Sequence, residues 1–437
     1  MKLIEDENST PERGRCQPHW GWMVVLASFV GIFLSLGINY SSGLYYVQWK
    51  EHFGASSALT SWIGSLQIGV LCFPGPLGSY LSERFGYRKM VIISGLISSA
   101  GLVASAYVNN IYAMMVTYGA VTGFGFCILF ASMATATMHF FPPQSAGLAV
   151  GIAVSGGGCG SFLMPILMEY LIMRYGWEGS LLILGGLVLN VCACGALLRT
   201  PPTKRKNDKK KKTNFKLLKN WNLSLFLLHQ ILFTTAVSVV YIHITAMIES
   251  LTGVSRTKSS LSLTVIGITN FSGRIIHGAI GGLKTVNVMS QYLTSYAVCG
   301  CALFIFPHVP YYPALLFICG VFGFLTAPYA ALTQLIIVEY VGVENLNFIY
   351  GLFLFCCGVG LMVGAPVAGV LYDVTQDYST SMYFGGACLI VCVLMMLKPW
   401  VQATCAPIER LDEVELGEQN TPEVEKQLVN EQNGFIT

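Results

Sequence analysis

The chain is 437 residues long, 54% hydrophobic and only 11% charged, where a soluble domain carries roughly a quarter charged residues. That balance excludes an ordinary water-soluble enzyme or nucleic-acid binder and points to a protein built for a lipid bilayer. The net charge of +3 says less than the places where the charges fall.

The first nineteen residues are polar and partly acidic, with neither an apolar h-region nor a small-residue cleavage site. No signal peptide is expected, so the first span directs insertion. Apolar runs then fall near 20–47, 62–81, 90–107, 111–138, 146–171 and 180–198, and again near 221–248, 260–280, 288–306, 313–338, 349–371 and 380–397. Each can cross a bilayer as a helix, which takes about twenty apolar residues. The predicted fold is therefore all-α and integral to the membrane, with twelve spans in two sets of six. The predicted organisation is an N-tail over 1–19, a six-helix bundle over 20–198, a basic linker over 199–220, a second bundle over 221–397 and an acidic, disordered tail over 398–437.

Charge assigns the sides. The tails, the loop after span two, the linker KRKNDKKKKTNFKLLK and Lys284 hold most of the lysines and arginines. Only Lys50, Arg174, Arg256 and Lys258 fall on the other face, and Arg274 lies within a span. Cytoplasmic loops carry such an excess, so both termini are placed in the cytoplasm. The linker either fixes that topology or also holds anionic headgroups. Asn8, Asn222 and Asn270 head N-x-S/T triplets, but on this topology they lie in cytosol or membrane and are not glycosylated. Of the fourteen cysteines, Cys16 and Cys405 lie in the tails and the others inside apolar runs. That pattern offers no disulfide framework and no metal site. The cysteines read as small apolar residues that pack helices.

Glycine and proline recur inside the spans: Gly156, Gly157, Gly158 and Gly160 in span five, Pro74 and Pro76 in span two, Pro328 in span ten. Small residues let helices approach closely in lipid, and prolines are tolerated where a cavity or neighbour satisfies the freed backbone. Both features suit two bundles rocking around a central site, and either suits a static bundle.

Few polar residues interrupt the spans. In span eight, Asn270 and Arg274 stand four apart on one helical face, with His277 a turn further. A charge inside the bilayer marks function by default. Arg274 offers a planar fork of donors to a carboxylate; alternatively it snorkels to headgroups two turns away. His243 and His229 in span seven either line a path or pack helices. Neutral candidates are Asn39, Tyr40, Ser41, Ser42, Gln67, Tyr329, Thr333 and Gln334. Glu339 either bonds across the bundle interface or is solvated. No Walker sequence, metal spacing or serine elbow is present, so no cofactor and no enzyme chemistry are expected.

Several motifs carry a family resemblance. Trp20-Gly21-Trp22 opens span one; Leu148-Ala149-x-Gly151-Ile152-Ala153-x-Ser155-Gly156-x-x-x-Gly160 lies in span five; Glu83-Arg84-Phe85-Gly86-Tyr87-Arg88-Lys89 follows span two. Gly342-x-Glu344-Asn345-Leu346 and Gly364-x-Pro366-x-x-Gly369-x-Leu371-Tyr372-Asp373 follow in the second half. Together these resemble the monocarboxylate transporters of the major facilitator superfamily, over nearly all of residues 18–397. The resemblance implies a secondary transporter in the plasma membrane working by alternating access. It makes Arg274 the substrate anchor, with Tyr40 retained alongside, and Glu83, Arg84 and Arg88 a gating loop; Asn270, Asn39, His243 and Tyr329 are expected as further binding residues from their polar character within the spans. It also raises a single-span immunoglobulin-type chaperone as a partner. The chain departs from the pattern at Gln17, Pro18 and His19, and at Gln144, Ser145 and Ala146. It departs most at Leu44 and Asn270, which stand where proton-coupled members carry lysine and aspartate. Neither exchanges a proton near neutral pH, so the substrate expected is a small carboxylate or zwitterion (creatine-, carnitine- or aromatic amino acid-like) moved without obligatory proton coupling. The alternatives are a proton-linked lactate or pyruvate symporter and a non-transporting sensor on the same fold.

Overall fold

The computed structural model describes residues 18–55, 57–141, 143–198, 215–283 and 285–405. Asn8, Cys16, Lys284, residues 1–17 and 406–437 of the tails and most of the basic linker lie outside the described residues, while residues 398–405, expected in the C-terminal tail, continue the last helix to Cys405. Nine segments among the described residues are long and apolar enough to cross a membrane, and the difference from twelve has physical causes. Spans five and six form one run, Pro143–Leu189, continued by Val191–Leu197. The run folds back at Gly176, whose φ of 72° and ψ of 176° suit a residue without a Cβ. Span two is cut in half, into Ser57–Cys72 and Gly75–Phe85, because Pro74 and Pro76 donate no backbone N–H. Span eight, Arg256–Gly281, is too polar to count by hydropathy alone.

The remaining spans are Pro18–Tyr40 (one), Tyr87–Ser105 (three), Trp221–Thr252 (seven), Val288–Ile305 (nine), Leu346–Thr375 (eleven) and Ser379–Cys405 (twelve). Span four runs through Ile111–Met114 and Thr122–Phe140 with a wide π-helical turn, Met115–Val121, between them. Span ten is broken into Tyr312–Thr326, Pro328–Ala331 and Thr333–Val341. A short 3-10 turn, Ser42–Tyr45, leads from span one into an outer helix, Tyr46–Phe53, on which Lys50 is exposed.

Apolar side chains gain little by leaving lipid for each other, so close backbone approach and polar bridges hold each bundle together. In the first, Ser82 and Ser132 share a bond of 2.6 Å, Ser105 donates to Thr117 at 2.8 Å and Thr137 donates to Ser28 at 3.1 Å. In the second, the Tyr296 hydroxyl donates to that of Tyr292 at 2.7 Å, and His229 packs against both rings. Indole tethers close one end of each bundle. Trp20 Nε1 donates to the Leu197 carbonyl at 3.1 Å, joining spans one and six, and Trp400 Nε1 donates to Ser290 Oγ at 2.6 Å, joining spans twelve and nine.

That same end, where span one begins and span twelve finishes, is also where the two bundles meet. Two seams close it. In the first, span five lies on span eight so tightly that a Cβ on Gly147 would stand 2.5 Å from the Gly278 carbonyl, and one on Gly151 2.5 Å from the Arg274 carbonyl. In the second, the inner half of span two lies on span eleven, where a Cβ on Gly351 would meet Pro76 Cα at 2.8 Å and Gly75 O at 2.9 Å. Tyr87 bolts this end, its hydroxyl donating to Asn347 Oδ1 across the bundles at 2.9 Å. The second seam runs up past Gly358 and Phe73 to Gly69 and Met362, with the Phe73 and Phe355 rings 4.7 Å apart. The first seam likewise runs up past Gly158 and Phe271 to Gly267 and Ser161, and the exposure of Tyr40 and Tyr241 marks a cleft between the two seams, toward the opposite end.

Candidate functional site

Arg274 sits at the foot of this cleft. It is 5% exposed and held by two neutral acceptors. Its Nε donates to Asn270 Oδ1 at 2.8 Å, one turn back on span eight. Its Nη1 donates across the bundle interface to the Val154 carbonyl of span five at 2.6 Å. Such a geometry leaves no room for snorkelling: the guanidinium points into the protein, not toward the end of its helix. Gly157 makes the arrangement possible, because a Cβ there would stand 3.1 Å from Arg274 Nη1.

Asn270 is the adapter. Its amide nitrogen donates to the Gly323 carbonyl at 3.0 Å and to Thr326 Oγ1 at 3.3 Å on span ten, turning its oxygen toward the arginine. An aspartate would offer no donor to Gly323, so the local backbone suits an amide. The arginine is thus oriented, and among the described residues its bonds go to neutral acceptors, not to a carboxylate.

Tyrosines from four spans lie near the guanidinium. Tyr40 of span one turns toward it. Tyr241 of span seven, Tyr329 of span ten and Tyr350 of span eleven lie within its electrostatic reach. Tyr40 and Tyr241 are 51% and 39% exposed, although both stand beside a buried group. Side chains can be both only where a wet cleft reaches the middle of the molecule. A buried guanidinium with neutral partners can receive an anionic group, and its planar fork of donors matches a carboxylate.

Among the residues expected from sequence, Arg274, Asn270, Tyr40 and Tyr329 come together here. Asn39 does not. One position from Tyr40, it faces about 100° away around the helix, is buried, and donates to Gln67 Oε1 at 3.5 Å inside the first bundle. His243 also lies elsewhere: its Nδ1 pairs with Ser381 Oγ at 2.7 Å, and its ring packs on Tyr372 and Tyr378 between spans seven, eleven and twelve. His229 is sealed in the second bundle, with Nδ1 on the Phe226 carbonyl. His277 is turned toward span nine, where Gln291 Nε2 meets its Nδ1 at 2.8 Å. Gln334 is fully buried, and Thr333 donates to the Tyr329 carbonyl across the break in its own span.

At the expected gating loop, Arg88 is exposed, and Arg84 folds back so that Nη1 donates to the Tyr80 hydroxyl at 3.0 Å beside the Phe85 ring. Glu83 is half-buried at the end of span two. The bond that crosses the bundles comes from Tyr87, inside the same motif but outside the expected set. Tyr241 and the Val154 carbonyl were likewise not among the sequence candidates.

The comparisons with known proteins agree with this architecture. Residues 27–324 match the Major Facilitator Superfamily. The chain is 27% identical to monocarboxylate transporter 14 of Mus musculus, over 91% of this chain and 95% of that protein. It is 29% identical to monocarboxylate transporter 9 of Gallus gallus, over 86% and 92% of the two chains. It is 28% identical to monocarboxylate transporter 12 of Xenopus laevis, over 86% and 88%. Among solved structures it superposes on the transporter FucP in its outward conformation with a TM-score of 0.68 at 14% identity, covering 85% of this chain and 97% of that one. On the human organic anion transporter MFSD10 the TM-score is 0.69 at 14% identity, covering 86% and 99%. These relatives are named transporters, not enzymes. With two six-helix bundles, a cleft between them and relatives matched over almost their full length, the chain belongs to the Major Facilitator Superfamily, in its monocarboxylate transporter branch.

Proposed function

We propose that the chain carries a small carboxylate across the plasma membrane by alternating access, without obligatory proton coupling. The substrate is a monocarboxylate or a zwitterion of the creatine, carnitine or aromatic amino acid kind. The observation that carries this reading is Arg274, buried at the foot of the cleft with only neutral partners. A charge within a span costs up to about 2.5–3.5 kcal/mol on insertion scales, and the acceptors that hold Arg274 are neutral, so they share its burial without neutralising it. A bound carboxylate supplies the missing counterion. Neither Asn270 nor Leu44 titrates near neutral pH, so the site has no obvious place to carry a proton alongside.

With the tails in the cytoplasm, as the basic loops indicate, the cleft faces outward and the two closed seams form the cytoplasmic seal. Substrate then enters from outside past Tyr40 and Tyr241. Arg274 already bonds both bundles, through Val154 and Asn270, so a carboxylate that engages it acts on the contact between the moving halves. An immunoglobulin-type chaperone at the plasma membrane belongs to the same reading, by likeness to the family.

Uptake of labelled lactate, pyruvate, creatine, carnitine and aromatic amino acids, at outside pH 6 and 7.5, tests the proposal alongside Arg274→Ala. Saturable uptake of one compound, indifferent to pH and lost in Arg274→Ala, is expected. Lactate uptake rising strongly at pH 6 would favour a proton-linked symporter, and binding without flux would favour a sensor.

A further inference from the structure

Tyr40 and Tyr241 occupy equivalent places in the two bundles. Each lies on the first span of its bundle, counted from the closed end. Tyr40 stands 22 residues beyond the first residue of Pro18–Tyr40 and Tyr241 stands 20 beyond the first of Trp221–Thr252. At 1.5 Å per residue, those are depths of about 33 and 30 Å. The two thus stand at similar depths along the first span of each bundle.

Local packing fixes where that level is. Leu36, one turn before Tyr40, fills the space beside Gly157, where Arg274 Nη1 also lies. Tyr40 is thus one turn above the guanidinium on the open side. Tyr241 rests on Phe322 of span ten, ring centres 6.1 Å apart, next to the Gly323 carbonyl that holds Asn270. Both side chains remain substantially exposed. They are the exposed tyrosines among those near the arginine, one from the first span of each bundle.

We propose that Tyr40 and Tyr241 form a cross-bundle clamp above Arg274 that sets the girth of the substrate carried. This rests on the carboxylate-carrier reading. Because the partners belong to different bundles, the gap between them narrows when the open end closes. A molecule whose carboxylate sits on Arg274 must fit the rest of itself between two phenol rings for that closure to finish. The hydroxyls supply neutral donors to the carboxylate, and the ring faces supply flat walls. Tyr241 is a specificity-determining residue in this scheme, one with no charge to advertise it.

Two arms test the clamp separately from the substrate assignment. In the first, Tyr40→Cys/Tyr241→Cys is combined with a protease site inserted in the linker, and a short bis-methanethiosulfonate reagent is applied. The halves stay joined after proteolysis in the double variant and separate in each single variant and in the parent chain, where Cys72 and Cys357 are buried. Separation in the double variant overturns the clamp, whatever is transported.

In the second arm, proteoliposomes take up acetate, lactate and phenylpyruvate. Tyr241→Phe raises KM about two- to twelvefold, the loss of one hydrogen bond, and keeps the order of preference. Tyr241→Ala flattens the dependence on size, Tyr40→Ala does the same, and the double variant adds nothing further. An unchanged KM and size order in Tyr241→Ala overturns the proposal. If the parent chain carries none of the acids, the carboxylate reading fails while the cross-link still decides the clamp.

Discussion

Gly147→Ala separates the moving seam from the static packing. A methyl at Gly147 would lie 2.5 Å from the Gly278 carbonyl and 3.0 Å from the Gly282 nitrogen, whereas real Cβ contacts essentially never fall under 3.0 Å. Both obstacles are backbone, so no rotamer relieves them; spans five and eight must separate by about half an ångström at the closed end. Overpacking of this kind costs about 1–3 kcal/mol. Only the state with this seam shut bears the cost, so the equilibrium shifts toward the opposite state by about 5- to 150-fold. Gly160→Ala is the control. Its methyl would stand 2.7 Å from the Phe33 carbonyl and 2.8 Å from Gly37 Cα, a clash of similar size between spans five and one of the same bundle. Both states bear it equally. The assay is the rate at which a membrane-impermeant maleimide, added from the open face, modifies Tyr40→Cys. Gly147→Ala should slow that rate, whereas Gly160→Ala should lower thermal stability at an unchanged rate. Equal labelling in Gly147→Ala and its parent would refute the reasoning, as would slowed labelling in Gly160→Ala.

Asn270→Asp places a carboxylate about where Oδ1 now meets Arg274 Nε at 2.8 Å. Ionised, it competes with substrate for the guanidinium; protonated, it can donate to the Gly323 carbonyl as the amide does. Uptake should therefore become greater at outside pH 6 than at 7.5, and an unchanged pH response would count against Arg274 as the anchor. Tyr87→Phe removes the bond to Asn347, worth about 0.5–1.5 kcal/mol, and should slow Tyr40→Cys labelling about two- to twelvefold, with no change in the size order of substrates. His243→Gln, at a residue paired with Ser381 away from the arginine, should lower the melting temperature and leave KM and pH dependence alone; a changed pH profile would return His243 to the transport path.

What the sequence disclosed and what it hid divide along physical lines. Hydrophobic runs of spanning length are one-dimensional signals, so the traverses and the Pro74 break are legible without coordinates. Arg274 is legible because a charge in an apolar run stands out, and its pairing with Asn270 follows from four-residue spacing. Neighbouring Asn39 and Tyr40 are indistinguishable by composition, since only helix phase sends one into the bundle and the other into the cleft. The Val154 acceptor is a backbone carbonyl, which no residue type announces. The Tyr87–Asn347 bond joins positions 260 apart, beyond any local pattern. Tyr241 had a usable signal, its depth in span seven matching that of Tyr40 in span one, and it is visible only when the two halves are compared.

The break in span two has a mechanical meaning. Pro74 and Pro76 leave the carbonyls of Val70 and Cys72 without their usual intrahelical donors, and the chain makes a short turn between Cys72 and Gly75. Below that joint, Gly75–Phe85 is pressed against span eleven; above it, most of Ser57–Cys72 stands against its own bundle. Span two is thus two levers sharing a fulcrum at the level of the Phe73 and Phe355 ring pair. On the proposed alternating-access cycle, the upper lever would tilt over an occupied cleft while the lower one stays bolted, so that the entrance shuts before the exit begins to loosen.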